Sequence, residues 1–219
     1  MRIISMLSGG LLFAAVTAAA AAPRPSCDLI DSAISANEDF AELALANDVA
    51  AARQALRVIH EEFAKIKPAL PADAALKAEA QIQAADAAMA AGDLARAAAA
   101  AIEVYRTLIV ALKRRLPTTL DVAMLDYSGF RLHALLASVP VNWDAITAAV
   151  EESAVNTKSA QRRLNDKGLS DLAGGVQAGL DAAAIAKGRG WLGSVAQIQL
   201  DSVDLLERKI KNPAPGACP

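Results

Sequence analysis

Apolar residues recur at helical spacing along almost the whole chain after about residue 28. The stretch 48–66 shows the pattern clearly, because its apolar positions follow one another at intervals of three and four residues. They are Val49, Ala52, Leu56, Ile59, Phe63 and Ile66. No stretch of the sequence alternates strictly between apolar and polar positions, which would indicate a strand. The pattern predicts an all-α fold.

Signals that end one helix and begin the next recur at intervals of roughly 50 residues. Tight turns are predicted at 46–48, 91–93, 141–144 and 187–190, where asparagine or glycine can take the left-handed conformation that ends a helix. Three aspartates at or near the following helix starts can cap them: Asp48, Asp93 and Asp144. Proline or glycine ends the other helices within 67–71, 116–119 and 165–168.

These signals predict eight helices paired as four antiparallel hairpins in a single all-α domain, residues 22–219. The predicted helices are 28–46, 48–66, 72–91, 93–115, 119–138, 143–165, 169–187 and 190–211. Two architectures fit: two four-helix units, 28–115 and 117–211, in a compact bundle, or a short solenoid of hairpins. Trp143 and Trp191 follow their turns closely, and we expect both to anchor their hairpins by packing.

The beginning of the chain differs from the rest. Arg2 precedes an apolar run over residues 3–22, which ends in consecutive alanines before Pro23. This is the pattern of a secretory signal peptide, residues 1–21, with cleavage after Ala21; an uncleaved anchor helix is the alternative. We expect a periplasmic or secreted protein, and no later stretch of the sequence is apolar and long enough to predict a membrane span.

The two cysteines, Cys27 and Cys218, stand near the two ends of the mature chain. In an oxidising compartment such a pair predicts a disulfide. A metal-binding or reactive thiol pair is disfavoured, because the sequence has no CxxC and neither histidine is close to a cysteine. A bond between the ends of the chain would favour the compact bundle over an open solenoid.

Composition excludes several classes of function. Hydrophobic residues make up 54% of the chain and charged residues 21%, which is enough for a packed core. The formal charge of −2 gives no basic surface for a nucleic acid. Phosphate-binding, dinucleotide-binding, nucleophilic-serine and di-iron motifs are missing, and His60-Glu61 lacks the second histidine of a zinc motif. We therefore predict no cofactor and favour a protein that is not an enzyme.

The predicted fifth helix, 119–138, is apolar on nearly every side yet contains polar residues. A buried carboxylate or guanidinium needs a partner, and Asp126 and Arg131, five positions apart, must each find theirs on another helix. A glycine within a helix, Gly129, indicates close approach of another helix or a ligand. The candidate ligand-binding residues are Asp126, Tyr127, Arg131 and His133.

Two interpretations of this helix stay open. Its polar residues are either ties between helices or the lining of an interior pocket, to which Glu38, Asp39, Glu42 or Glu103 could add carboxylates. The leading hypothesis for the whole chain is an exported binding or adaptor module for an unknown protein or small ligand. The alternative is a bundle that holds a metal or small cofactor around Asp126, Arg131 and His133.

Overall fold

The computed structural model describes residues 24–219, so the predicted signal peptide, residues 1–21, lies outside the described residues. Within them the chain forms eight α-helices and no strand, which confirms the predicted fold class. The helices are α1 (Cys27–Leu45), α2 (Val49–Ile66), α3 (Ala72–Ala90), α4 (Leu94–Ala111), α5 (Leu120–Ala137), α6 (Trp143–Gln161), α7 (Lys167–Ile185) and α8 (Arg189–Lys209). One turn of 3₁₀ helix, Lys67–Ala69, follows α2.

Short polar side chains begin five of the eight helices by accepting a hydrogen bond from the backbone N–H three residues later. These N-cap residues are Ser26, Asp48, Asp93, Asn142 and Asp166. The capping roles predicted for Asp48 and Asp93 are confirmed. At α6 the cap is Asn142, and Asp144 lies in the first helical turn, where its charge complements the helix dipole.

Three helices end with a residue in the left-handed conformation, as the tight turns predict. Asn47 (φ 63°) follows α1, Gly92 (φ 75°) follows α3 and Lys187 (φ 50°) follows α7. At the last turn the prediction placed a glycine in this role, whereas Gly188 has a φ of −84° and caps the start of α8. The same pair of backbone hydrogen bonds closes all three turns, so the lysine is held there by the turn geometry.

Helix α5 joins the two halves of the bundle. Each hairpin packs its two helices together, α1 also packs on α4, and α5 packs on α8. Helix α5 contacts α1 and α4 of the first half and α6 and α8 of the second. Being covered from both halves explains why it is apolar on nearly every side. The described residues therefore form a compact arrangement of two four-helix groups and not an open solenoid.

The chain ends meet at the end of the bundle that is opposite the tight turns. Cys27 and Cys218 form a disulfide with Cα atoms 5.4 Å apart, which confirms the predicted pairing. The Arg115 guanidinium donates to the carbonyl of Pro25 at 3.1 Å and to that of Gly216. The segment after α8 is thus fixed against the link between α4 and α5.

The two tryptophans differ in their surroundings. Trp143 is partly buried against the apolar core of the second half, as predicted. Trp191 is 50% exposed and packs on its own turn near Gly188, so it anchors its hairpin less than predicted. Within residues 24–219, none of the helices combines the length and apolar composition that crossing a bilayer requires.

Candidate functional site

The polar residues predicted as a site on α5 leave the helix in three directions. Asp126 faces α1 and α4, where it meets Tyr105. Tyr127 and Arg131 face α4 and α6, where both reach glutamates. His133 lies near Leu45 of α1 and α8. The structure therefore places these four residues in three separate surroundings and brings only Tyr127 and Arg131 together.

Asp126 belongs to a group of carboxyls held between helices of both halves. Tyr105 of α4 donates its hydroxyl to Asp126 Oδ2 at 2.9 Å, and the same hydroxyl lies 3.2 Å from the carbonyl oxygen of Ala123. Glu38 of α1 is hydrogen-bonded to Asp126. Glu207, near the end of α8, adds its charge to the same group. The residues that meet here come from four helices.

Burial governs the ionisation of this group. Burial and then the charge of Asp126 raise the pKa of Glu38 to about 9. Burial raises the pKa of Asp126 to about 6, although the hydrogen bonds from Glu38 and Tyr105 lower it. Near neutral pH, Glu38 is therefore protonated, and its O–H group donates a hydrogen bond to the ionised Asp126. Burial, followed by the charges of Asp126 and Asp204, raises the pKa of Glu207 to about 7.

Glu38, Tyr105 and Glu207 open onto a cleft of about 420 Å³ beside the disulfide. Its walls are the first half of α1, α4, the link after α4 and the last residues of the chain. Apolar side chains form part of the lining: Ile30, Ile34, Ile109, Ala123 and Leu116. Acidic side chains of α1 and α8 complete it: Asp28, Asp31, Glu38 and Glu207. A concave surface with apolar walls and a few convergent polar groups is the usual form of a small-molecule site.

Tyr127 and Arg131 take part in a second polar group, which ties α4, α5 and α6 together. Glu152 of α6 accepts from Arg131 Nη1 at 2.8 Å and from Arg106 Nη2 at 2.7 Å. Both guanidinium groups also lie over the Tyr127 ring, 5.2 and 5.7 Å from its centre. Tyr127 donates to Glu103 Oε1 at 2.6 Å. These groups satisfy one another, so the arrangement works as a tie between the two halves.

His133 is partly buried at a small indentation of about 190 Å³, which Glu42, Phe130 and Gln197 also line. Burial lowers the pKa of His133, which keeps the ring neutral near pH 7. Its Nε2 atom is buried without a hydrogen-bond partner among the described residues. Across residues 24–219, no three histidine, cysteine, aspartate or glutamate side chains converge in a way that could hold a metal ion.

The sequence predicts some of the carboxyl groups in and behind the cleft. Asp126 was predicted, and Glu38 was one of four carboxylates considered for a pocket. Tyr105 and Glu207 were missed, because each occupies an ordinary position on its own helix and only the packing of α4 and α8 brings it to Asp126. The buried polar contacts of the second half were also missed: Gln177 on α7 and Gln199 on α8 both accept from Ser153 of α6.

Comparison with known protein families, with characterised proteins and with solved structures gave no match for this chain.

Proposed function

We propose that the protein is an exported binding protein, not an enzyme, and that its cleft beside the disulfide receives a small organic cation with an apolar part. The observation that carries this proposal is the cleft itself. It joins apolar walls to a group of carboxyls, of which Glu38 and Glu207 reach the cavity and Asp126 lies directly behind.

The charge of the ligand follows from the side chains around the cleft. Asp28, Asp31, Glu38 and Glu207 line it, and Lys211 approaches Glu207 from the segment after α8. Arg115 also lies near the cleft, with its guanidinium 3.9 Å from Cys27 Sγ. The four acidic side chains outnumber these two cations, so a positively charged ligand is favoured over a negative one. A cation beside Glu38 would lower the pKa that burial has raised, and the bound proton would leave as the ligand enters.

The apolar part of the ligand follows from the opposite wall. Ile30 and Ile34 on α1 and Ile109 on α4 contribute aliphatic surface to the cavity. Covering such surface is favourable by about 25 cal/mol for each Å² removed from water. A fully hydrated inorganic ion would leave this surface exposed, whereas an alkyl or aryl amine would cover it and place its ammonium group near Glu38.

Export is supported by the disulfide. Bonds of this kind persist in oxidising compartments and are rare in the cytosol. The apolar stretch over residues 3–22 supports the same location, since its composition and position are those of a signal peptide. Binding is favoured over catalysis because the acid and hydroxyl groups of the cleft are hydrogen-bonded to one another, and neither histidine lines it.

The alternative of a metal or cofactor held around Asp126, Arg131 and His133 gains no support from the geometry. Arg131 is paired with Glu152, and His133 lies at a different indentation from the one near Asp126. A ligand touching all three would have to pass through the packed helix α5. The cleft is therefore the stronger candidate.

The proposal can be tested with three probes that share one alkyl chain: hexylamine, 1-hexanol and hexanoate. Binding to residues 22–219 would be followed by ligand-observed nuclear magnetic resonance and by calorimetry at pH 8. We expect hexylamine to bind, the alcohol to bind more weakly and hexanoate not to bind. Repeating the calorimetry in two buffers of different ionisation enthalpy should reveal a proton released on binding.

Two variants locate the site. Glu38→Gln should weaken hexylamine binding by roughly tenfold or more, because a hydrogen bond to a charged group is lost. Glu61→Gln removes the same charge from the exposed face of α2 and should leave binding unchanged. Equal binding of hexylamine and hexanoate, or equal affinity of the two variants, would contradict the proposal.

A further inference from the structure

Three large apolar side chains are exposed at the end of the bundle that is opposite the cleft. Val139, in the turn after α5, is 88% exposed, and Ile185, at the end of α7, is 85% exposed. Trp191, in the first turn of α8, is 50% exposed. We call residues 138–142 and 185–191 the tip. Side chains of this kind on one surface mark a contact with something other than water.

The two segments of the tip are neighbours in the fold. A Cβ added to Gly193 of α8 would lie 3.8 Å from Leu136 Cδ1, which places the start of α8 against the end of α5. The Trp191 side chain lies over its own turn, since the Cβ position of Gly188 is 3.7 Å from Trp191 Cε3. The indole is therefore held at the end of the molecule.

The charges of the tip are positive. Lys187 and Arg189 are both exposed and alternate in sequence with Ile185 and Trp191. No acidic residue occurs within 185–191 or 138–142. Asp144, on the first turn of α6, is the nearest acidic residue in sequence to the shorter segment. The tip thus combines two cations with exposed aliphatic and indole surface, in a chain whose overall formal charge is −2.

We propose that the tip docks on an anionic phospholipid surface. Tryptophan is enriched at the level of lipid headgroups, where its ring is partly in the apolar layer and partly in water. Lysine and arginine close to the surface are attracted by anionic headgroups, and this attraction adds to the burial of apolar side chains. The tip presents both kinds of group at one end of a rigid bundle, so the protein would rest on the membrane and not cross it.

Charge decides between a lipid surface and a second copy of the chain. Two tips brought together would place Lys187 and Arg189 of one copy against the same residues of the other, and like charges at an interface oppose association. An anionic surface complements the same residues. This inference is independent of the ligand proposed for the cleft, which lies at the other end of the bundle.

The sequence offers a direct reporter, because Trp143 and Trp191 are its two tryptophans. In a Trp143→Phe variant of residues 22–219, the fluorescence comes from Trp191 alone. We expect its emission to shift to shorter wavelength on adding phosphatidylglycerol vesicles in low salt, and to be quenched by brominated acyl chains. Phosphatidylcholine vesicles should produce a much smaller shift, and added salt should reverse the binding.

Matched variants in the same Trp143→Phe background test the tip. Lys187→Asn with Arg189→Gln should weaken partitioning to phosphatidylglycerol by about tenfold or more. Arg208→Gln with Lys209→Gln removes the same charge at the other end of α8 and should have little effect. Ile185→Ser should weaken partitioning by about tenfold, whereas Leu76→Ser on α3, where the side chain is 67% exposed, should not. Thermal unfolding of each variant would confirm that it is folded.

Three results would overturn the inference. The first is no shift of Trp191 fluorescence with either lipid. The second is equal loss of binding in the tip variants and their controls. The third is a shift that depends on protein concentration without vesicles, which would identify a second copy of the chain as the occupant of the tip.

Discussion

Gly129 of α5 lies so close to Leu200 of α8 that a Cβ at Gly129 would stand 2.5 Å from Leu200 Cδ2. The carbonyl oxygen of Ala196 is 3.6 Å from the same position. One turn earlier on α5, the carbonyl of Leu125 accepts a hydrogen bond from Gln199 Nε2 at 2.5 Å. The close approach that the mid-helix glycine indicated is therefore an approach of another helix.

Gly129→Ala is expected to destabilise the protein by about 1–2 kcal/mol, because the added methyl group must displace Leu200 from a packed interface. The value is a net loss, because the cost of displacing Leu200 should exceed the gain of roughly 1 kcal/mol that alanine brings to a helix interior. Urea unfolding of the parent and the variant would measure this net change in the free energy of unfolding. Leu200→Ala makes room for the methyl group, so the double variant should be more stable than the two single effects predict together. A single variant more stable than the parent would contradict this account.

The hydrophobic pattern predicts the helices of this protein well, because most of them have an apolar stripe and short polar or turn-forming residues at their ends. The turns are less certain from sequence, as Lys187 shows: it takes a left-handed conformation next to a glycine that could have done so. The buried face of α8 is also not defined by its apolar residues alone. Gln199 and Ser202 lie inward, whereas Ile198 is half exposed. The polar groups of Gln199 and Ser202 form hydrogen bonds with α5, with α6 and within α8, and the contacts with other helices cannot be predicted from the sequence of α8 alone.

Lys187→Gly is expected to stabilise the protein by about 1 kcal/mol, because a left-handed conformation (φ 50°) is costly for a residue with a Cβ and is easily adopted by glycine. Denaturant unfolding of the variant would test the change. The neighbouring Gly188 has a φ of −84°, so Gly188→Ala provides the comparison and should not show a gain of this origin. Equal effects at both positions would argue against the conformational cause.

The stability of the folded protein is expected to decrease as pH rises from about 5 to 8.5. The pKa values of Glu38, Asp126 and Glu207 are raised by burial, so the folded state holds protons that the unfolded chain releases. Their contribution is fully present below the ordinary carboxyl pKa and is lost as pH rises through the raised values. We expect a loss of several kcal/mol in the free energy of unfolding over this range, and Glu38, whose pKa is raised most, should contribute the largest part.

The largest part of the pH dependence should come from Glu38, whose pKa is raised most. Glu38→Gln keeps a hydrogen-bond donor to Asp126 and removes the titrating group, so its free energy of unfolding should change much less with pH. Glu61→Gln on the exposed face of α2 should keep the parent slope. Stability that rises between pH 5 and 8.5, or a slope in Glu38→Gln as steep as that of the parent, would refute the assignment. Hexylamine affinity should change in the opposite sense and increase with pH, since the cation favours the ionised carboxyls.

The candidate site was harder to predict than the fold for a physical reason. Asp126 stood out because a carboxylate in an apolar helix requires a partner. Glu38, Tyr105 and Glu207 did not, because each lies where its own helix tolerates a polar side chain. What brings them together is the packing of α1, α4, α5 and α8, and the raised pKa values arise only from that shared burial.

The proposed export makes a specific prediction about the first residue of the protein. Mass spectrometry of material from the native host should find Ala22 as the first residue, because the small residues before Pro23 fit signal cleavage after Ala21. The mature protein should be found outside the cytoplasm in cell fractionation. A protein that retains residues 1–21 in the membrane fraction would support the anchor-helix alternative. Recovery of the full chain from the cytoplasm would contradict export.

Arg115 and the disulfide hold the same two chain segments, and their contributions should therefore overlap. The bond closes a loop with a sequence separation of 191, which stabilises the folded state by about 5 kcal/mol in a chain-entropy treatment. Arg115 binds the carbonyls of Pro25 and Gly216, and its own carbonyl accepts from the backbone N–H of Cys218 at 3.0 Å. With the bond intact, the segments cannot separate even when the guanidinium is removed.

We therefore expect Arg115→Gln to cost about 1 kcal/mol or less in the oxidised protein. Cys27→Ser with Cys218→Ser should cost several kcal/mol but keep the helical circular dichroism of the parent. Adding Arg115→Gln to this pair should cost more than it does alone and should speed hydrogen exchange in residues 213–218, because the nearest other ties to the link after α4, made by Asn212, lie before them. Arg114→Gln, an exposed neighbour, serves as the control. Strictly additive effects would show that the guanidinium and the disulfide act on different parts of the chain.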